Sequence, residues 1–392
     1  MRITQITTRI VNLGFRNALI IRIDTDEGIS GIAETVMKRW TLAIEQAVQR
    51  LGSSLIGRDP TEIEDLWEKM YRDSFWVGGT VHATALSALD CALWDILGRA
   101  CRVPVYKLHG GPTRRRVPVY CHCRAGSSPE EFASRIRECV RQGWRAIKTT
   151  LPVFYGISDG EPASYSGTDG LLSRTWKETE YLEPDVIGRI RDYLEAARQA
   201  AGPKIGIAVD CHGRLNLKAA LRLARAVEHL DLMFLEEPVP PENAEVLAIL
   251  RRESPVPVAA GERWATIHGV REFLEKQAVD VLQCDLVNCG GFTALKKIAA
   301  IAEAHYVSLA PHNPNGPLAT VMNLHLAASI PNFLILETVG SDADRQLWRE
   351  LLGEDFPFED GCLSLPSGPG YGVELNEGAL ERRPYEPRPG WR

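Results

Sequence analysis

Ile205-Gly206-Ile207-Ala208-Val209-Asp210-Cys211-His212 is a short apolar run that closes on an acid. The same device recurs in Leu232-Met233-Phe234-Leu235-Glu236 and in Val258-Ala259-Ala260-Gly261-Glu262, so Asp210, Glu236 and Glu262 follow one another at intervals of 26 residues. That interval is about the length of one strand, one helix and two short loops in a βα repeat. In a parallel α/β barrel the strands end at one face and their terminal residues converge on one pocket. Three carboxylates in one pocket repel and raise one another's pKa values unless a cation holds them. A hard divalent ion with oxygen ligands, Mg²⁺, is the expected partner. One acid at such a place would read as a helix cap or a surface residue; three at equal spacing read as a ligand set.

Working outward, strand and helix patterns alternate from residue 117. Strands are expected at 117–123, 146–150, 205–210, 232–236, 258–261, 281–285, 307–311 and 333–337, with helices at 129–142, 185–200, 217–229, 242–252, 292–303 and 318–329. Eight strands in this alternation imply an α/β fold with a parallel TIM-type barrel. Residues 1–34 read instead as a three-stranded meander, followed by helices at 41–51, 61–71 and 81–98, an α+β unit. Asp90 and Asp95 in the last of these helices read as structural. After Glu337 the alternation stops, and the Pro- and Gly-rich stretch 357–389, with a short extended piece at 372–375, is expected to return to the amino-terminal unit. The expected division is a capping domain over 1–116, a barrel over 117–352 and a returning segment over 353–392.

Three loops carry side chains suited to contact. Leu13-Gly14-Phe15-Arg16-Asn17 and Phe75-Trp76-Val77-Gly78-Gly79-Thr80 mix large apolar groups with glycine, as lids do, and equally as loops that pack on a neighbouring domain. The stretch 151–180 is far longer than an ordinary βα loop. It reads as a lid, a substrate wall or a subunit contact, with Tyr155, Tyr165 and Trp176 as its contact candidates.

Composition narrows the function classes. With 45% hydrophobic and 24% charged residues the chain is of ordinary globular type. No apolar run approaches the roughly 20 residues that cross a bilayer, so no membrane association is expected. The amino terminus alternates like a strand and lacks a signal-peptide core, which points to the cytoplasm. A net charge of −6 gives no general attraction for nucleic acid, and the basic run Arg114-Arg115-Arg116 is short. The nine cysteines suit reduced thiols. Cys121 and Cys123 could share a strand face, but without a second pair they make a poor metal site.

Other groups join the acids. Period-two alternation puts His212 on the side of Asp210. Asp285 and His312 end adjacent strands, so the carboxylate could fix one imidazole nitrogen and leave the other as a base, in a loop stiffened by Pro311, Pro314 and Pro317. Lys148 follows the apolar Ala146-Ile147 and should point into the polar mouth rather than be buried unpaired. Glu337 ends the eighth strand in the same way. His109, His229, His268, His305 and His325 read as background, while His82 and His122 stay undecided.

The motifs Asp210-Cys211-His212-Gly213-Arg214, Glu236-Glu237-Pro238, Ala260-Gly261-Glu262-Arg263, Asp285 with Asn288 and Gly290-Gly291, and Pro311-His312-Asn313 together resemble the enolase superfamily. Within it the chain resembles the mandelate racemase subgroup and its galactonate dehydratase-like sugar-acid dehydratases. The resemblance spans nearly the whole chain. It implies a modified TIM barrel, (β/α)7β, with an α+β capping domain formed by the amino-terminal region and the carboxyl-terminal tail. It implies Asp210, Glu236 and Glu262 as Mg²⁺ ligands and His312, paired with Asp285, as the base that removes the proton next to the substrate carboxylate. Mg²⁺ would stabilise the resulting enediolate, His212 would protonate the departing 3-hydroxyl, and Glu337 would hydrogen-bond a carboxylate oxygen. The implied partner is a small sugar acid such as an aldonate, and a homo-oligomer would suit the long insertion. One departure matters. Many members of the subgroup carry Lys-x-Lys on the second strand, whereas this chain has Lys148-Thr149-Thr150. Losing that second lysine while keeping both histidines favours elimination over racemisation, epimerisation or cycloisomerisation, and the intact acid triad argues against an inactive binding relative.

Overall fold

The structure is a computed structural model that describes residues 1–73, 75–151, 181–340, 342–353 and 355–387. Tyr155, Tyr165 and Trp176 lie outside the described residues.

Alternating apolar residues build the first sheet, in which β1 (Ile3–Asn12), β2 (Asn17–Thr25) and β3 (Ser30–Thr35) pair antiparallel in that order. Leu19, Ile21 and Ile23 of β2 are fully buried in the core that this sheet shares with α1 (Thr41–Gly52), α2 (Ile63–Arg72) and α3 (Thr80–Ala100). A helix apolar on most sides must be enclosed, and α3 packs against β3 and against a barrel helix. Its two acids are structural, as expected. Asp95 accepts from the backbone N–H groups of Ile32 (3.0 Å) and Tyr371 (2.7 Å), and Asp90 from that of Thr293 (3.1 Å). A short α4 (Val105–Leu108) leads to the barrel.

Eight parallel strands follow: β4 (Arg116–His122), β5 (Ala146–Thr149), β6 (Gly206–Asp210), β7 (Phe234–Glu236), β8 (Val258–Ala260), β9 (Val281–Leu282), β10 (Ser308–Leu309) and β11 (Leu336–Thr338). They pair in sequence order, β11 returns to β4, and a bridge from Phe333 to Leu309 joins the last two, so the sheet closes on itself. Between them run α5 (Pro129–Arg141), α6 (Pro184–Ala201), α7 (Leu217–Val227), α8 (Ala244–Glu253), α9 (Thr266–Glu275), α10 (Gly291–Ala304) and α11 (Pro317–Ser329). Seven intervening helices make the modified barrel that the resemblance implied.

The barrel interior explains where the chemistry sits. Tyr120, Ala146, Ala208, Phe234, Ala259, Val281, Ala310 and Ile335, one from each strand segment, form an apolar plug. Side chains of a strand alternate between faces, so the residues two positions on point to the same interior one layer higher. They are His122, Lys148, Asp210, Glu236, Gly261, Gln283, His312 and Glu337.

Several expectations need correction. β9 and β10 stop well short of 285 and 311. Asp285 turns the chain by accepting from Val287 N–H at 2.9 Å, and Pro311 has no N–H for the ladder. Helix α9, the seventh that the resemblance implied, was not placed by the sequence pattern, since its N-cap Ala265 makes no side-chain cap and Gly269 interrupts its pattern. Nor was α12 (Asp342–Leu352), which continues the helical layer after Glu337. The extended piece expected at 372–375 is not a strand. The tail instead forms a hairpin of β12 (Phe358–Glu359) and β13 (Cys362–Ser364) around Asp360-Gly361, whose positive φ values of 49° and 71° suit a two-residue hairpin turn. β13 adds antiparallel to β4 of the barrel. Beyond it Tyr371 is fully buried, its OH donating to Cys91 O at 2.7 Å, and Asn12 N–H donates to Arg383 O at 2.9 Å just past α13 (Glu377–Glu381). Among the described residues no helix is long and apolar enough to cross a membrane.

Candidate active site

Asp210 and Glu236 end neighbouring strands and sit in register. Glu262 follows Gly261, whose φ of 140° lets the chain step past β9; a Cβ there would lie 2.9 Å from Gln283 N. The three expected metal ligands therefore line one side of the mouth. Lys148 Nζ stands among them, 2.7 Å from Glu236 Oε2, 2.8 Å from Glu337 Oε1 and 3.8 Å from Asp210 Oδ2. All three atoms belong to buried side chains. Burial opposes the charge on Lys148, but Glu236 and Glu337 outweigh it and hold the ammonium well above its usual pKa. Burial pushes Glu236 up, against the pull of Lys148.

The two histidines flank this cluster. His212 does not reach Asp210 by strand alternation, as expected, but by a turn. Its φ is 51°, its backbone N–H donates to Asp210 Oδ1 at 2.9 Å, and its Nε2 lies 3.0 Å from Asp210 Oδ2. A non-glycine residue held in the left-handed region is strained, and such strain gathers at functional sites. Burial lowers the His212 pKa, yet the Asp210 carboxylate more than offsets this and raises it to about 8. Opposite, His312 places Nδ1 at 2.8 Å from Asp285 Oδ2 and Nε2 at 2.9 Å from Glu262 Oε2. Asp285 is fully buried and further held by Asn288 Nδ2 (3.0 Å) and Asn315 Nδ2 (3.2 Å). Burial works against the imidazolium, but Glu262 and Glu337 raise His312 well above its usual pKa. The same contact keeps Glu262 ionised despite its burial.

Glu337 is an acceptor hub. It takes Lys148, the ring of His122 and the backbone N–H of Asn313 (2.9 Å), and burial is outweighed by Lys148, so its carboxyl sits well below the usual range. His122, undecided from sequence, thus belongs to the site. His82 lies apart, its Nε2 3.3 Å from Met70 O beside the Tyr71 ring.

The donor set fits a hard cation. Three carboxylates close adjacent strands, and Glu236 Oε1 is buried with no hydrogen-bond partner, an oxygen left over for a ligand. As placed, Lys148, His212 and His312 each engage one of the acids, and among the described residues no three ligating side chains are drawn together tightly enough to hold an ion.

Sequence reasoning did not single out four residues, Gln283, Arg16, Asn315 and Glu34. Gln283 completes the polar layer, and the period-two count from Val281 would have found it. Arg16, in the β1–β2 loop, is half-buried and faces the field of Glu337, Asp285, Glu34 and Glu262, though desolvation lowers its pKa. Asn315 supports Asp285. Glu34 of β3 caps α11, accepting from Gly316 N–H (2.7 Å) and Leu318 N–H (3.1 Å), and so ties the meander to the loop that carries His312. Phe75 and Trp76 do not pack on a neighbouring domain: they are 82% and 85% exposed and touch each other edge to face at 5.3 Å.

Comparison with known proteins shows the family of the chain. Residues 131–379 match the family described as enolase C-terminal domain-like, and residues 5–110 match the mandelate racemase / muconate lactonizing enzyme N-terminal domain. A D-galactonate dehydratase family member of Streptomyces bingchenggensis is 34% identical over 95% of this chain and 91% of its own. A D-galactonate dehydratase of Verminephrobacter eiseniae is 35% identical over 100% and 96%. An enolase from Agrobacterium radiobacter, described with bound Na and L-malate, superposes with a TM-score of 0.84 at 30% identity over 98% of this chain and 95% of that one. The chain belongs to the enolase superfamily, in its mandelate racemase / muconate lactonizing enzyme branch.

Proposed function

We propose that this protein is a Mg²⁺-dependent, cytoplasmic, homo-oligomeric dehydratase of a sugar acid, an aldonate such as galactonate or a similar compound, that forms a 2-keto-3-deoxy acid and water. The observation that carries this reading is the pair of imidazoles, His212 and His312, on opposite flanks of the acid cluster, with His312 fixed by Asp285. Relatives named for dehydration over nearly the full chain support it. Asp210, Glu236 and Glu262 would hold the Mg²⁺, within a barrel over 117–352 capped by 1–116 and 353–392. When bound, the ion supplies positive charge against the substrate carboxylate as negative charge builds there.

His312 donates its Nδ1–H to Asp285; once Glu262 Oε2 turns away from Nε2, the charge that favours the imidazolium is withdrawn, the Nε2 proton passes to solvent, and Nε2 is left to take the proton from C2 of the substrate. His212 gives a proton to the departing 3-hydroxyl, which leaves as water, and the resulting enol tautomerises to the 2-keto acid. A base and an acid at neighbouring carbons suit elimination. Epimerisation needs a second base on the opposite face, and Lys148, locked between Glu236 and Glu337, is poorly placed to serve. Because Glu337 is ionised it accepts rather than donates, so it orients Lys148 and His122 toward the carboxylate. A screen of a sugar-acid library with Mg²⁺, reading 2-keto-3-deoxy products, tests the proposal. Turnover of at least one aldonate is expected, and failure across the library with metal-loaded enzyme would overturn it.

A further inference from the structure

Gln283 is fully buried, and neither Nε2 nor Oε1 of its amide has a hydrogen-bond partner. Natural proteins seldom bury a primary amide with both ends unsatisfied, because the desolvation is uncompensated. An apolar residue of similar size would cost less there, so something outside the chain's own groups is expected to meet this amide. Its direction follows from the ladder. Val281 belongs to the interior plug, Ala259 pairs with Val281, and Gln283 N–H donates to Ala260 O at 2.9 Å, so the ladder's hydrogen bonding carries one residue past β9 and the side chain two residues on from Val281 faces the barrel axis. On one side the neighbouring strand offers only Gly261, which cannot carry a side chain. On the other stands His312, whose backbone lies against Gln283 O. The amide thus sits at the foot of the base, beside the one gap in the polar layer.

We infer that Gln283 is a substrate-binding residue that receives the α-hydroxycarboxylate end of the substrate, Nε2–H donating to a carboxylate oxygen and Oε1 accepting from the 2-hydroxyl. A primary amide is an adjacent donor and acceptor, and an α-hydroxycarboxylate presents the complementary acceptor and donor. The contact would hold C2 against His312. This inference rests on the sugar-acid reading above and names the part of the substrate that Gln283 recognises.

The test uses Gln283→Leu and the length-matched Gln283→Met in the full chain with Mg²⁺, with L-malate as a non-reacting α-hydroxycarboxylate probe. Removing an unsatisfied buried amide should leave the melting temperature equal or higher and Mg²⁺ affinity by calorimetry unchanged. L-Malate affinity should fall at least tenfold in both variants, and kcat/KM on any sugar acid found by the screen should fall about 100-fold. Malate affinity within twofold of wild type, no malate binding by wild type, or a malate loss that merely parallels lost Mg²⁺ binding or a lowered melting temperature would overturn the inference. A wild type that turns over no sugar acid, yet binds L-malate in a Gln283-dependent way, would overturn the dehydratase reading and leave this assignment standing.

Discussion

His312 and Asp285 form a buried dyad, Nδ1 to Oδ2 at 2.8 Å, in which the carboxylate is pinned by two asparagine side chains and a backbone N–H before it meets the imidazole. Such an anchored acceptor fixes one tautomer and one ring orientation. Asp285→Asn should therefore lower kcat by about 10²-fold or more with little change in KM. His312→Asn should abolish exchange of the substrate α-hydrogen with solvent, read by NMR in ²H₂O. Normal turnover by His312→Asn would refute its role as base.

His212 is assigned to the leaving group, so its loss should separate the two halves of the reaction. His212→Asn should form the 2-keto product about 10²-fold more slowly while solvent exchange at C2 persists. Loss of exchange and elimination together, with metal still bound, would show that His212 does more than protonate the hydroxyl.

Lys148 holds two buried carboxylates together at 2.7 and 2.8 Å. Removing one partner of a buried ion pair leaves uncompensated charge, at a cost of about 3–5 kcal/mol. Lys148→Met should lose stability of that order in EDTA, by urea denaturation, and recover part of it when Mg²⁺ is added. A stability unchanged in EDTA would mean that the ammonium does not neutralise these acids.

Glu34 gives a pH dependence away from the mouth. Burial raises its pKa from 4.5 to about 7, against the pull of the α11 backbone N–H groups. The folded state therefore favours the protonated carboxyl. Its stabilising contribution is fully present below about pH 4.5 and is lost as pH rises through about 7, an effect on the order of 3 kcal/mol. Glu34→Gln, which cannot ionise, should gain stability relative to wild type between pH 5 and pH 8 in thermal melts. Parallel pH profiles for the two proteins would contradict this.

The barrel and its acids were legible because they rest on repetition: three acids at one interval, Asp210 and Glu236 two residues beyond an apolar interior position and Glu262 three, after Gly261. His212, His312, Asp285, Lys148 and Glu337 were legible for the same reason, as ends of strands. Gln283 was not singled out because a neutral amide after an apolar run carries no charge signal. Arg16 lies in a loop of the other sheet and meets the field of the barrel acids only through tertiary folding, which no local pattern encodes. The way His212 meets Asp210 depends on a left-handed φ, which neither residue type announces. The β12–β13 hairpin was missed because its strands are too short to show alternation, although Asp360-Gly361 marks its turn.

The central claim is that Asp210, Glu236 and Glu262 share one divalent ion, and the most direct measurement is a crystal structure of the protein grown with Mg²⁺. The account predicts one oxygen from each of the three carboxylates at about 2.0–2.1 Å from a single ion, with His312 Nε2 released from Glu262. Carboxylates still paired with Lys148, His212 and His312 at saturating Mg²⁺, with the ion elsewhere or bound by fewer of them, would contradict it.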